Sequence, residues 1–379
     1  MILHVIEDLR PESGGPPAVV IELARHQSRH GRAVAVACRQ GPRDEAERER
    51  LERVFMDSGV RCLDLSGGQG TLRQRLAAAL ESLRPTVMHL HGVWGADVRH
   101  AATLARRLGV PYVVSSHGML HPYALAQRGW KKRMYLAVFP GILGAAGEIL
   151  ALNREECEHV ESRLRLRASV LPNGIDASEY AGADPDMFRR AHLRVGSAPF
   201  VLFIGRLHPI KGVDLLVRSY AIARGHGLRH ELVIVGPEDG GGDSARRAAA
   251  ETGVDTHVHF VGPAFGAMKR SALAACSALV HRPRFEGFGL AVVEGLAAGR
   301  PVVTTAVCRL DGAAEAGAIV CAPDTDEGFA RELTALLADG TRAAAVAARG
   351  REWICREFDW PRIVERAEAV YARIGAPQT

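Results

Sequence analysis

The feature that most constrains this chain is a regular alternation of short apolar runs with longer segments of helical period, begun at the first residues and begun again in mid-chain. Runs at 2–7, 33–38, 60–65, 87–91, 111–116 and 148–152 read as buried strands, and segments such as 17–30, 71–84 and 97–108 between them as helices. The second half restarts with VLFIG (201–205), LVIVG (232–236), VHFVG (258–262), ALVHR (278–282) and PVVTT (301–305). Alternation of this kind predicts an α/β fold whose parallel sheets are joined by crossover helices. Three of the later runs end in glycine, which suits tight turns at the carboxyl ends of strands, where open α/β sheets bind ligands. Weak periodicity and a concentration of Gly and Pro over 172–199 separate the halves. The expected organisation is a first domain over 1–180, a hinge over 181–198 and a second domain from 199, with the parallel sheets facing across a ligand-binding cleft.

Composition narrows the class. A length of 379 residues suits two domains, and 47% apolar with 24% charged residues is ordinary for a soluble globular protein. No apolar run reaches the roughly 18 residues a membrane-spanning helix needs. The start, MILHVIEDLR, enters a strand pattern directly and has no basic stretch leading into an apolar one, so no secretory leader is expected. Seven scattered cysteines without a C-x-x-C point to reduced thiols and a cytoplasmic setting. The net charge of +5 is compatible with phosphates or an acidic membrane surface and selects neither. Dispersed basic residues, 6% aromatics and no reader motif argue against nucleic acid.

Four segments carry chemistry. In HRPRFEGFGLAVVEGLAAGRPVV (281–303) a strand runs through a loop into a helix expected to open near Phe288. Gly287 and Gly289 leave the amide groups of that helix end accessible to phosphate. Glu286 precedes the helix and Glu294 follows about two turns later, so both carboxylates are expected along one side, each able to hold a pair of sugar hydroxyls. Taken alone, the segment is equally well a strand–helix turn with two solvated glutamates. In GRLHPIKGVDLL (205–216), Arg206 and Lys211 follow a strand ending at Gly205, and two fixed cations there suit a diphosphate as well as bare surface. ESGGPPAVV (12–20) sets Gly14 and Gly15 at a helix start, and VVSSHGMLHPY (113–123) sets His117 at a strand's end. His89 and His91 in HLHG alternate on one face of a strand, but no partner ligand is evident in the sequence, so no metal is expected.

Together these segments resemble the family-4 retaining glycosyltransferases of the GT-B fold, in the family's order and over nearly the whole chain. The matching parts are Gly14–Gly15, the S-H-G strand end at His117, L-P-N-G-I-D (171–176), G-R-L-x-x-x-K-G (205–212) and E-G-F-G-L-x-x-x-E (286–294). F-D-W (358–360) matches the closing signature, which implies a second domain over 199–357 and a helix over 358–379 crossing back to the first. The resemblance implies two Rossmann-like domains. It implies His117, Glu286, Arg206 and Lys211 at the reacting centre, with Arg206 and Lys211 on the donor diphosphate and Glu286 on the donor sugar. It sets Gly14, Gly15, Asn173, Gly205, Gly287, Phe288, Gly289, Leu290 and Glu294 around the donor, with Glu294 on the ribose. Two places depart from the pattern: Arg282–Pro283 stand where Pro-Ser is usual, and 307–317 lacks the usual Gly-Gly.

The expected reaction moves a hexose from a UDP- or GDP-linked donor to a glycan or lipid-linked acceptor, as in bacterial surface polysaccharide or glycolipid synthesis. Arg206, Lys211 and a helix end would stabilise the leaving phosphate in place of a metal. Asp184-Pro185-Asp186 and Asp324-Thr325-Asp326 are D-x-D tripeptides, read as a hinge segment and a helix cap. A small-molecule acceptor, a glycoside hydrolase using Glu286 and Glu294, and a non-catalytic nucleotide-binding protein are the alternatives. Finally, 124–139 joins Arg128, Lys131, Lys132 and Arg133 to Trp130, Met134, Tyr135, Leu136 and Phe139. Such a helix can lie on an anionic membrane or pack its apolar face on the core.

Overall fold

A computed structural model describes residues 1–375 except 11, 12, 14, 68, 128, 193, 194 and 311, so Gly14 and Arg128 lie outside the described residues. The chain divides into two compact units, Met1–Gly174 with Trp360–Thr379, and Ile175–Asp359.

The first unit is built on a seven-stranded parallel sheet: β1 (Ile2–Asp8), β2 (Val34–Gln40), β3 (Arg61–Asp64), β4 (Val87–His91), β5 (Tyr112–Ser115), β6 (Glu148–Ala151) and β7 (Ala168–Val170). Their order is β3-β2-β1-β4-β5-β6-β7. The second unit holds six parallel strands: β8 (Phe200–Ile204), β9 (Glu231–Val235), β10 (Val258–Gly262), β11 (Ala278–His281), β12 (Val302–Thr305) and β13 (Val320–Ala322), ordered β10-β9-β8-β11-β12-β13. In both sheets the order of strands therefore reverses between the first and the fourth, the point at which Rossmann-like sheets open a crevice at the strands' carboxyl ends. The central strands are buried throughout, as parallel strands covered on both faces must be.

Eleven of these strands fall on the runs named from sequence. The three-residue edge strands β7 and β13 do not, because so short a segment carries no period. The expected hinge 181–198 is instead part of the second unit. Its helix Pro185–Ala191 buries Phe188 completely, the Phe188 amide donates to Ser271 Oγ (2.8 Å), and Arg189 lies over the Phe200 ring. The helix Trp360–Gly375 lies in the first unit, where Trp360, Ile363, Val364 and Tyr371 join the apolar cluster around Val20, Val36 and Val113.

Candidate active site

In the second unit the carboxyl ends of β8 and β11 bring two sequence segments together. After β8 the chain makes a short turn, Pro209–Lys211, capped by His208 Nδ1, which accepts from the Ile210 amide (3.2 Å). Gly212 follows in the left-handed region (φ 62°), and a β-carbon there would sit 2.3 Å from the Arg282 carbonyl, so only glycine lets the two loops touch. The Arg284 and Phe285 amides both donate to the Ile210 carbonyl (2.8 and 3.2 Å), and the Arg284 guanidinium grips Asp214 through two bonds of 2.7 and 2.6 Å.

This locking seats Lys211 Nζ 2.7 Å from Glu286 Oε2, which also accepts from His281 Nε2 at 2.9 Å. Burial alone would raise the Glu286 carboxyl, but the Lys211 ammonium and the His281 imidazole outweigh it and hold the group well below the usual carboxylate range. His281 stacks on Phe203 and is itself buried, with Nδ1 lacking a hydrogen-bond partner among the described residues. The helix of the long motif runs Leu290–Ala297, two residues later than expected, because Gly289 takes a left-handed conformation (φ 69°) and stands outside it as the cap. Phe288 is buried against Phe358 rather than open at the helix start.

Glu294 does not share partners with Glu286. Its carboxylate holds Lys269 Nζ at 2.6 Å and a hydrogen bond with Tyr180, whose phenol is raised by burial and by that carboxylate. Arg206 reaches Asp239 at 2.7 Å on a half-exposed surface. Arg282, where the family pattern has a smaller residue, is buried and ties the loop to Leu215 carbonyl, Ser219 Oγ, Asp324 and Asp326. The two D-x-D tripeptides are likewise engaged. Thr325 caps the helix Asp326–Ala338, while Asp184 caps Pro185–Ala191 and pairs with Arg190.

In the first unit the corresponding strand ends gather imidazoles. His4 on β1, His89 and His91 on β4 and His117 after β5 form a stacked set with centroid separations of 4.1–5.3 Å. Burial drives His4 and His117 down to about 4, and holds His89 and His91 well below the ordinary value. Three of these rings lie close enough to share a metal ion, yet each of their nitrogens is already committed to a hydrogen bond. Gly15 opens the helix Gly15–Arg29, and Asn173 is buried near the end of the unit's first stretch.

A cavity of about 510 Å³ near the ends of β2 and β3 is lined by Arg10, Arg39, Arg43, Arg48, Asp64 and Ser66, among others. Arg10 pairs with Asp8, and Arg39 with Glu7 and Asp97. Among the described residues the side chains of Arg43 and Arg48 make no ion pair. The helix Gly129–Val138 turns Tyr135, Leu136 and the adjoining Phe139 onto the core, while Trp130, Met134 and Val138 stand exposed beside Lys131 and Arg133. The helix thus packs one apolar face on the core and leaves a second apolar stripe exposed beside its cations.

Sequence reasoning missed Lys269, Tyr180 and Asp239 in the second unit and His4 and Gln27 in the first. Each comes from an element remote in sequence from the residue it contacts, so no local spacing announces it. His281 opens the recognised motif and could have been named.

Comparison with known proteins agrees with this geometry. The profile described as Glycosyltransferase Family 4 matches residues 13–179, and that described as Glycosyl transferases group 1 matches 198–339. The D-inositol 3-phosphate glycosyltransferase of Actinosynnema mirum is 30% identical over 291 residues, covering 71% of this chain and 69% of that protein. The GDP-mannose:cellobiosyl-diphosphopolyprenol alpha-mannosyltransferase of Xanthomonas oryzae pv. oryzae is 26% identical over 404 residues, covering 100% and 98%. The crystal structure of Anabaena HepE in complex with UDP and glucose superposes with a TM-score of 0.75 at 20% identity, covering 98% of this chain and 99% of that one. Two Rossmann-like units of this topology define a glycosyltransferase of the GT-B fold. The chain belongs to glycosyltransferase family 4, the glycosyl transferases group 1.

Proposed function

We propose that the chain transfers a hexose, with retention of configuration and without a metal ion, from a UDP- or GDP-linked donor to a phosphate-bearing, lipid-linked acceptor. The observation that carries this reading is the Lys211–Glu286–His281 cluster at the switch point of the second sheet. Glu286, held ionised, is suited to accept hydrogen bonds from donor-sugar hydroxyls. Lys211 and Arg206 supply positive charge for the diphosphate as the C1–O bond breaks and negative charge gathers on the leaving oxygen. Glu294 takes the ribose. Metal independence is supported by three of the D-x-D carboxylates: Asp184 serves a helix cap and Arg190, and Asp324 and Asp326 pair with Arg282.

The arginine-lined cavity of the first unit supports an acceptor that carries phosphate. Attack on the same face of the sugar as the departing phosphate accounts for retention. No helix among the described residues is long and apolar enough to cross a membrane. The exposed Trp130, Met134 and Val138 with Lys131 and Arg133 support peripheral contact with an anionic cytoplasmic leaflet. A small phosphate-bearing acceptor is the second reading, since the same arginines would take it, and D-inositol 3-phosphate stands in the name of one relative.

The test is transfer in EDTA from UDP- and GDP-hexoses, GDP-mannose first, to a polyprenyl-diphosphate glycan and to inositol phosphate. The anomeric configuration of the product is read by NMR. Transfer in EDTA with retention supports the reading. Loss on chelation restored by Mn²⁺, or inversion, contradicts it.

A further inference from the structure

The histidines of the first unit form one continuous hydrogen-bonded chain that ends at His117. Gln27, fully buried on the helix Gly15–Arg29, places Oε1 2.7 Å from His4 Nε2. His4 Nδ1 lies 2.9 Å from His91 Nε2, and His91 Nδ1 lies 3.0 Å from His117 Nε2. The same amide sends Nε2 to the Tyr371 hydroxyl (3.2 Å), which meets His89 Nδ1 at 2.7 Å, and His89 Nε2 ends on Ser115 Oγ (2.7 Å).

A neutral imidazole has one N–H and one lone pair, so each ring passes on the direction of the bond it receives. With the Gln27 oxygen toward His4, His4 must donate from Nε2. His91 must then donate to His4, and His117 must donate to His91 from Nε2. The lone pair of His117 is thereby left on Nδ1. The second arm obeys the same orientation: the amide N–H₂ donates to Tyr371, Tyr371 to His89, and His89 to Ser115. Turning the amide over would reverse every one of these bonds. His117 Nδ1 has no hydrogen-bond partner among the described residues, its ring is only partly buried, and its backbone is held at φ 49°, unusual for a residue with a side chain.

We infer that Gln27, His4 and His91 are positioning residues that fix His117 as the Nε2–H tautomer, so that it presents Nδ1 to the substrate as an obligate hydrogen-bond acceptor. The consequence for transfer rests on His117 touching the transferred sugar. An acceptor-only nitrogen there selects a donor that carries a hydroxyl at the contacted position and disfavours the deoxy analogue.

The experiment is histidine ¹⁵N NMR on the full chain near neutral pH, reading the tautomer of each ring, together with kinetics on hexose and deoxyhexose donors. Wild type should show His4, His91 and His117 all as Nε2–H. Gln27→Met removes the director and should mix the His117 tautomers, lower kcat by about tenfold with little change in KM, and erase part of the discrimination against the deoxy donor. Gln27→Glu, which accepts but cannot donate while it is ionised, should restore the tautomer and the discrimination. A mixed or Nδ1–H His117 in wild type, or a tautomer unmoved by Gln27→Met in a variant whose spectrum is otherwise native, overturns the inference. If the tautomers are as expected but His117→Ala transfers sugar normally, the relay stands and the assignment of His117 to the site fails.

Discussion

The two units answer the same topological problem with opposite electrostatics. Each sheet turns between its first and fourth strands and offers polar side chains at that point. The second unit fills it with charge: Lys211 faces Glu286, and Lys269 faces Glu294. The first fills it with imidazoles that burial keeps neutral. A site for a diphosphate leaving group needs fixed charge, and paired ions tolerate partial burial because each satisfies the other. A site that touches neutral sugar hydroxyls needs oriented donors and acceptors instead, and a satisfied neutral network supplies orientation without a desolvated charge. In the proposed reaction this contrast would divide the recognition of a nucleotide sugar by polarity.

The sharpest way to break this contrast is Glu286→Ala. Transfer should fall by at least about a thousandfold while nucleoside diphosphate binding stays largely intact, because the proposed contact with the donor sugar is lost and Lys211 is retained. Kinetics paired with calorimetric titration check it, and retained turnover would remove Glu286 from the chemistry.

Acid separates the units next. The pKa of His4 is lowered from 6.5 to about 4, so the unfolded chain takes up its proton first as pH falls. Stability is therefore complete above 6.5 and is lost progressively toward 4, by about 3 kcal/mol for His4 alone. Glu286 has the opposite sign of charge and a depressed value, so its contribution persists until pH drops below its ordinary 4.5. Hydrogen exchange at mildly acid pH should open peptides of β1 and β4 before those of β8 and β11. Opening in the reverse order would contradict the assigned protonation states.

Much of this contrast was legible in the chain. The motif at 281–303 kept Glu286 and Glu294 in register, and Lys211 was named from its place after a strand. The pairing of Lys211 with Glu286 was not legible, because it depends on Gly212 letting two loops meet. Glu286 and Glu294 were expected to point along one side of a helix, but Gly289 ends the helix short of Glu286 and gives the two carboxylates separate partners. In the sequence His89 and His91 stand out only as an alternating pair on one strand. Their meaning comes from His4 and Gln27, which sheet register and a neighbouring helix deliver from far along the sequence. The span 181–198 looks like a linker in the sequence because two buried apolar residues, Phe188 and Val195, are too few to show a period.

Glu294→Ala sharpens the contrast within the second unit. Nucleoside diphosphate affinity should weaken by about tenfold, roughly the loss of one charge-assisted hydrogen bond, if Glu294 takes the ribose as proposed. Equal weakening by Glu286→Ala and Glu294→Ala in direct titration would end the division between them. The smallest effect lies on the surface of the first unit. Changing Lys131, Lys132 and Arg133 together to Ser should reduce low-salt co-sedimentation with anionic vesicles, each basic residue contributing about 1 kcal/mol, and leave nucleotide affinity unchanged. Absence of wild-type binding at low salt would favour the small soluble acceptor.

The most direct measurement is calorimetric titration of UDP and GDP into wild type, Lys211→Ala and His117→Ala. Lys211→Ala should weaken the preferred nucleotide by tenfold or more, on the order of 1.5 kcal/mol for one lost phosphate contact, while His117→Ala leaves its affinity unchanged. A diphosphate that binds Lys211→Ala as tightly as wild type, or that is lost with His117→Ala, would contradict the assignment of charge recognition to the second unit.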